Sequence, residues 1–92
     1  MVKILLIEDD ADLCDSIRQE LLRNGYGVDC CQDGETAMYY ALNMDYGYDL
    51  VIADRMLPVI DGLTIIKAMR QKGIPIPVII ITGMSALDDR VD

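Results

Sequence analysis

A doubly wound α/β fold, with a parallel sheet between layers of helices, is what this 92-residue sequence predicts. Three observations lead there. Ile4–Ile7, Leu50–Ala53 and Val78–Ile81 are short, unbroken apolar runs bounded by acids, Pro or Thr. Such runs suit strands buried on both faces rather than the alternating strands of a half-solvated sheet. Apolar stripes at helical spacing fill the intervals between them. Strand and helix therefore alternate, which requires parallel strands joined by right-handed crossovers.

The elements follow in order. After the first strand, Asp10 or Asp12 can cap a helix. Leu13, Ile17 and Leu21 recur every four residues in it, with Cys14 and Leu22 widening the stripe, and Asn24-Gly25 ends it. Val28–Cys31 reads as a weaker strand after Gly27. Ala37, Ala41 and Met44 form a second helical stripe ahead of the strand Leu50–Ala53. Leu63, Ile66, Met69 and Arg70 form a third, opened by Asp61-Gly62 and closed by Gly73 before Pro75. A further helix is expected to begin near Ala86, after the fourth strand. With no Phe or Trp the core must be aliphatic, with Met38, Met44 and Met69 as filler. The five Tyr read as half-buried surface residues.

Composition narrows the function. A hydrophobic fraction of 52% excludes a disordered chain, and the length fits a single domain. Acids outnumber bases 16 to 8, so the net charge of −8 argues against a direct nucleic-acid partner and favours a cation or a basic protein surface. The absence of His removes imidazole as base, nucleophile or ligand, so any phosphohistidine must belong to another protein. Cys14, Cys30 and Cys31 are odd in number and form no C-x-x-C pair, which suits reduced thiols in a cytoplasmic chain. The longest apolar stretch, Ile74 to Thr82, contains two prolines and is less than half of the roughly 20 residues a spanning helix needs.

The acids fall where such a sheet binds ligands, beyond the carboxyl ends of its strands. Strand one runs into Glu8-Asp9-Asp10, strand three ends in Asp54, and strand four ends at Thr82. Crowded carboxylates repel one another, and a hard divalent cation with oxygen ligands relieves that repulsion. Mg²⁺ with a phosphoryl group fits this donor set, and a carboxylate is the available nucleophile, able to form an aspartyl phosphate. Pro58 and Gly62 shape the loop after Asp54, so that a rigid backbone carbonyl could face the cation. Asp10 and Asp12 read instead as helix N-terminal charges, and Asp88, Asp89 and Asp92 as solvated ones.

The motifs Ile4-Leu-Leu-Ile-Glu-Asp-Asp10, Asp49-Leu-Val-Ile-Ala-Asp54, Met56-Leu-Pro-Val-Ile-Asp-Gly-Leu63 and Pro77-Val-Ile-Ile-Ile-Thr82 resemble the receiver domain of two-component response regulators. Gly25-Tyr-Gly-Val-Asp29 and Asp88-Asp-Arg-Val91 look further like the subfamily whose output is a winged-helix DNA-binding domain. The resemblance implies a flavodoxin-like receiver fold. It makes Asp54 the phosphoacceptor, with Mg²⁺ held by Asp9, by Glu8 through water, by Asp54 and by the Met56 carbonyl. Thr82 would be the switch hydroxyl, and a sensor histidine kinase the phosphoryl donor. Met56 and Met84, each two residues beyond a site residue, would offer nothing to orient a hydrolytic water, implying a long-lived aspartyl phosphate.

Against the family pattern, the expectation is a receiver domain represented by its N-terminal part, residues 1–92, lacking the fifth strand and fifth helix and any DNA-binding domain. The family's phosphoryl-binding lysine has no counterpart among Lys3, Lys67 and Lys72. An apolar fourth strand at a sheet edge leads to an expectation of self-association, through paired edges or exchanged elements. Two other functions share some of these features. A haloacid-dehalogenase-type phosphatase needs Asp-x-Asp directly after strand one, whereas Asp10-Ala-Asp12 comes two residues late. A phosphorylation-independent interaction fragment would keep its binding when Asp54 is replaced by Ala.

Overall fold

A computed structural model describes residues 1–54, 57 and 60–81 of the chain. Four strands and three helices alternate: β1 (Lys3–Ile7), α1 (Ala11–Arg23), β2 (Gly27–Cys31), α2 (Gly34–Ala41), β3 (Leu50–Asp54), α3 (Gly62–Gln71) and β4 (Val78–Ile81). A single 3-10 turn, Met44–Tyr46, lies between α2 and β3. All strands are parallel in the order β2-β1-β3-β4. This is the start of the flavodoxin-like order, in which the chain reverses direction between β1 and β3. The expected helix near Ala86 falls outside the described residues.

Register brings the strand ends level. Ile7 lies beside Cys31 on one side and Ala53 on the other, and Asp54 lies beside Ile81. The residues that follow Ile7 therefore emerge next to Asp54. Alternation along the strands sorts the side chains. Leu5, Ile7, Cys31, Val51 and Ala53 join Ala37, Ala41, Ile65 and Met69 in one core beneath α2 and α3. Ile4, Leu6 and Cys14 are equally buried but outside that cluster, on the α1 side.

Each helix opens on an aspartate. Asp10, Asp33 and Asp61 accept hydrogen bonds from the backbone N–H groups of Leu13, Thr36 and Thr64 at 3.1, 2.7 and 2.8 Å. Such caps satisfy amides that the helix leaves unpaired, at about 1 kcal/mol apiece. Of the two candidate caps for α1, Asp10 takes the position and Asp12 sits in the first turn.

Several packing expectations need correction. The buried face of α3 is Gly62, Ile65 and Met69 rather than Leu63 and Ile66; Leu63 is 48% exposed. Leu22 is exposed, leaving Cys14 as the buried residue of α1. Met44 is 56% exposed because α2 ends at Ala41, before the stripe reaches it. Among the described residues β4 is not sealed on both faces, since Ile79 is 51% exposed.

The tyrosines do more than occupy surface. Tyr39, Tyr40, Tyr46 and Tyr48 form a chain of edge-on and stacked rings with centroids 4.8–6.4 Å apart. Tyr48 is buried, and its hydroxyl donates to Asp29 at 2.7 Å. The Lys3 ammonium lies 5.0 Å from the Tyr48 ring and donates to the Tyr46 carbonyl at 2.7 Å. This belt lies at the amino end of β1 and β3, opposite the acids.

Gly34 sets how closely α2 approaches the segment leading into α3. A Cβ there would lie 2.5 Å from the Ile60 carbonyl oxygen and 2.6 Å from the Ile60 Cβ. Backbone cannot yield as a flexible side-chain tip would. Gly34→Ala is therefore expected to destabilise the fold by about 1–3 kcal/mol, as overpacking does, despite Ala being the better helix former. Urea denaturation of the two proteins checks this; an unchanged or raised midpoint would contradict it.

Candidate acidic metal centre

The candidate site is assembled from two adjacent strand ends. β1 is buried along Ile4–Ile7 and delivers Glu8 and Asp9 at its carboxyl end. β3 delivers Asp54 as its last residue. One carboxylate oxygen from each of Glu8, Asp9 and Asp54 lies within 4.8 Å of the others. Sequence spacing alone could not state this proximity, because 45 residues separate Asp9 from Asp54; parallel pairing of β1 with β3 supplies it.

The three acids differ in surroundings. Asp9 is exposed and Asp54 half-buried, whereas Glu8 is only 2% exposed. The Glu8 amide donates to the Cys31 carbonyl at 3.0 Å, fixing the end of β1 against β2. Its Oε2 accepts from the Asp10 amide at 3.0 Å, whereas Oε1 is buried with no hydrogen-bond partner among the described residues. Burial pushes the Glu8 carboxyl up to about 7. The Asp10 amide works against that shift, while the negative charges of Asp54 and Asp9 add to it.

A buried, partnerless carboxylate oxygen is costly unless something accepts it. An oxygen-only donor set of this size, carrying negative charge, fits a hard divalent cation. The residues present therefore suit a metal ion, and the orphaned Glu8 Oε1 is the observation that carries the fit. His is absent from the chain and the three cysteines lie elsewhere, so a thiolate or imidazole centre is not what these acids build.

Of the five residues singled out by sequence, the structure brings together Glu8, Asp9 and Asp54. Met56 and Thr82 lie outside the described residues, as do Met84, Asp88, Asp89 and Asp92. Asp10 and Asp12 are a helix cap and a first-turn charge, which removes the Asp-x-Asp arrangement a haloacid-dehalogenase site would need at the strand end. Lys3 begins β1, at the end of the strand remote from the acids, and Lys72 caps the far end of α3. No helix among the described residues is long and apolar enough to cross a membrane.

Comparison with known proteins fits this geometry. The family model described as response regulator receiver domain matches residues 4–92. The chain is 42% identical over 91 residues to the transcriptional regulatory protein CiaR of Streptococcus pneumoniae, covering 98% of this chain and 39% of that protein. It is 35% identical over 91 residues to the transcriptional regulatory protein DltR of Streptococcus agalactiae, covering 99% and 40%. Among solved structures, a response regulator receiver domain protein from Clostridium thermocellum superposes with a TM-score of 0.83 at 26% identity, covering 97% of this chain and 71% of that one. The response regulator protein TrrA of Thermotoga maritima, crystallised in complex with Mg²⁺-BeF, gives 0.79 at 32% identity, covering 92% and 72%. This chain belongs to the response regulator receiver domain family. It spans about 40% of the length of the curated relatives it matches.

The raised Glu8 carboxyl has a consequence for stability. Between its ordinary value of 4.5 and about 7 the folded state holds a proton that the unfolded state has released. Metal-free stability therefore falls as pH rises through that window, by on the order of 3 kcal/mol in total from this group. Glu8→Gln is expected to remove this part of the slope and to be the more stable protein at pH 8 in chelator. Denaturant unfolding of both proteins at pH 5 and pH 8 checks it; parallel pH dependences would contradict it.

Proposed function

We propose that the chain acts as the phosphoacceptor module of a two-component response regulator, with Asp54 as the residue phosphorylated. The observation carrying this reading is the meeting of Glu8, Asp9 and Asp54 within 4.8 Å at the carboxyl edge of a receiver-type sheet. Asp9 and Asp54 would hold Mg²⁺ directly and Glu8 through water, with the Met56 carbonyl as a further protein ligand. When bound, the ion supplies charge neutralisation for the transferring phosphoryl oxygens. The acid cluster is the chain's own contribution, since it fixes the nucleophile beside the place where that charge develops.

An Asp54 carboxylate oxygen attacks phosphorus in line, while the bond from phosphorus to the imidazole nitrogen of the donor breaks. The donor is a phosphohistidine on a sensor kinase, consistent with a chain that has no His of its own. The product is an acyl phosphate on Asp54, and Thr82 is the hydroxyl that would follow it as the switch. A two-state element biased by that new charge carries the signal. The chain modifies itself and turns over no separate substrate. In the longer relatives the output is transcriptional by name, and a DNA-binding output is proposed for the protein this chain represents. Self-association is also part of this reading, supported by the half-exposed Ile79 on the β-branched strand β4. A light-scattering mass of one chain at micromolar concentration would contradict that part alone.

Incubation with acetyl phosphate and Mg²⁺ is expected to add one phosphoryl group to the intact mass. Asp54→Asn should abolish the gain and chelator should prevent it. A gain that survives Asp54→Asn would overturn the assignment of the phosphoacceptor.

A further inference from the structure

Two of the three cysteines are built as a pair, and the third is kept apart from them. Cys14 is the buried residue of α1, which packs across β2. Cys30 lies opposite Leu6 in the parallel register, so its side chain shares the sheet face that α1 covers. Cys31, the next residue, points to the other face and packs in the core with Ala37 and Ala41. The Cys30 thiol donates to the Cys14 main-chain carbonyl oxygen at 4.0 Å, which sets its sulfur beside Cys14 in the first turns of α1. Cys30 is half-buried, whereas Cys14 and Cys31 are buried. One thiol is thus open to a small oxidant, with its neighbour already in place behind it.

We propose that Cys14 and Cys30 form a redox site that closes to an intramolecular disulfide under a peroxide-class oxidant, leaving Cys31 a free thiol. The Cys30 sulfur attacks a peroxide oxygen, the O–O bond breaks, and water leaves with the thiol proton, giving a sulfenic acid on Cys30. The Cys14 sulfur then attacks the Cys30 sulfur and the S–O bond breaks. The departing hydroxyl takes the Cys14 proton and leaves as a second water. Two thiols and one hydrogen peroxide thus become one disulfide and two waters, and the thiols supply the two electrons that reduce the peroxide. Cys30 is the more open of the two and Cys14 is buried, with its thiol pushed up to about 12 by that burial, so the oxidant meets Cys30 first.

The bond would tie α1 to β2 around the acidic centre. Asp10 caps α1 two residues after Glu8, and the Cys31 carbonyl accepts from the Glu8 amide at 3.0 Å. The site itself is independent of the phosphoacceptor reading, because it needs none of the acids.

The native 92-residue chain is oxidised with a small excess of hydrogen peroxide, quenched by alkylation under denaturing conditions, and mapped by mass spectrometry. The expected result is a monomer lighter by two hydrogens, one cross-linked peptide pair bearing Cys14 and Cys30, and alkylated Cys31. Cys31→Ser should leave the cross-link intact, and Cys30→Ser should abolish it. Cys14→Ala, confirmed as folded by circular dichroism, should divert Cys30 to sulfenic or sulfinic acid. A Cys30–Cys31 bond, a cross-link between chains, or oxygen addition at Cys30 with Cys14 still alkylated in the unsubstituted protein would each overturn the proposal.

Discussion

Glu8 is held out of water at the end of the most buried strand, beside two further acids, with one oxygen facing no donor among the described residues. A charge in that position is tolerated only if a proton or a cation answers it. Much of the molecule can be understood as the apparatus that keeps it there. β1 is central in the sheet and its apolar run Ile4–Ile7 is buried, so its end has little freedom to move. The Cys31 carbonyl and the Asp10 amide then fix the Glu8 main chain and one side-chain oxygen. The fold holds the acids together at the expense of the metal-free state, and that crowding is what suits the donor set to a divalent cation.

The opposite end of the sheet carries the compensating order. There the tyrosine belt, Lys3 and Asp29 close the amino end with aromatic edges and paired charge. Acidity in this chain serves two ends. Asp10, Asp33 and Asp61 are tied to helix amides, while Glu8, Asp9 and Asp54 crowd together at the carboxyl edge of the sheet. Net charge alone could not separate these uses; position relative to the strand ends does.

The fold class was legible because unbroken apolar runs and helical stripes alternate, and each expected strand appears within a residue or two of its run. The acid cluster was legible for the same reason: once strands are parallel, their last residues share an edge. The phase of α3 was not, because an exposed Leu63 and a buried Gly62 invert the usual reading of hydrophobicity. Met44 was misread because nothing in the stripe marks the end of α2 at Ala41. The aromatic belt joins residues from α2, the 3-10 turn and the approach to β3, and its contacts depend on chain reversal rather than on local pattern. The pairing of Cys14 with Cys30 was hidden likewise. Vicinal Cys30 and Cys31 look equivalent in sequence, and only the strand register sends them to opposite faces.

The dependence of the site on Glu8 is tested most directly by residue-specific carbon-13 NMR of its carboxyl group across pH, with and without Mg²⁺. The expected midpoint is near 7 in chelator, displaced well downward when the ion is present, because a bound cation favours the charged form. A Glu8 carboxyl that titrates in the ordinary carboxylate range, and does so equally with and without Mg²⁺, would contradict it.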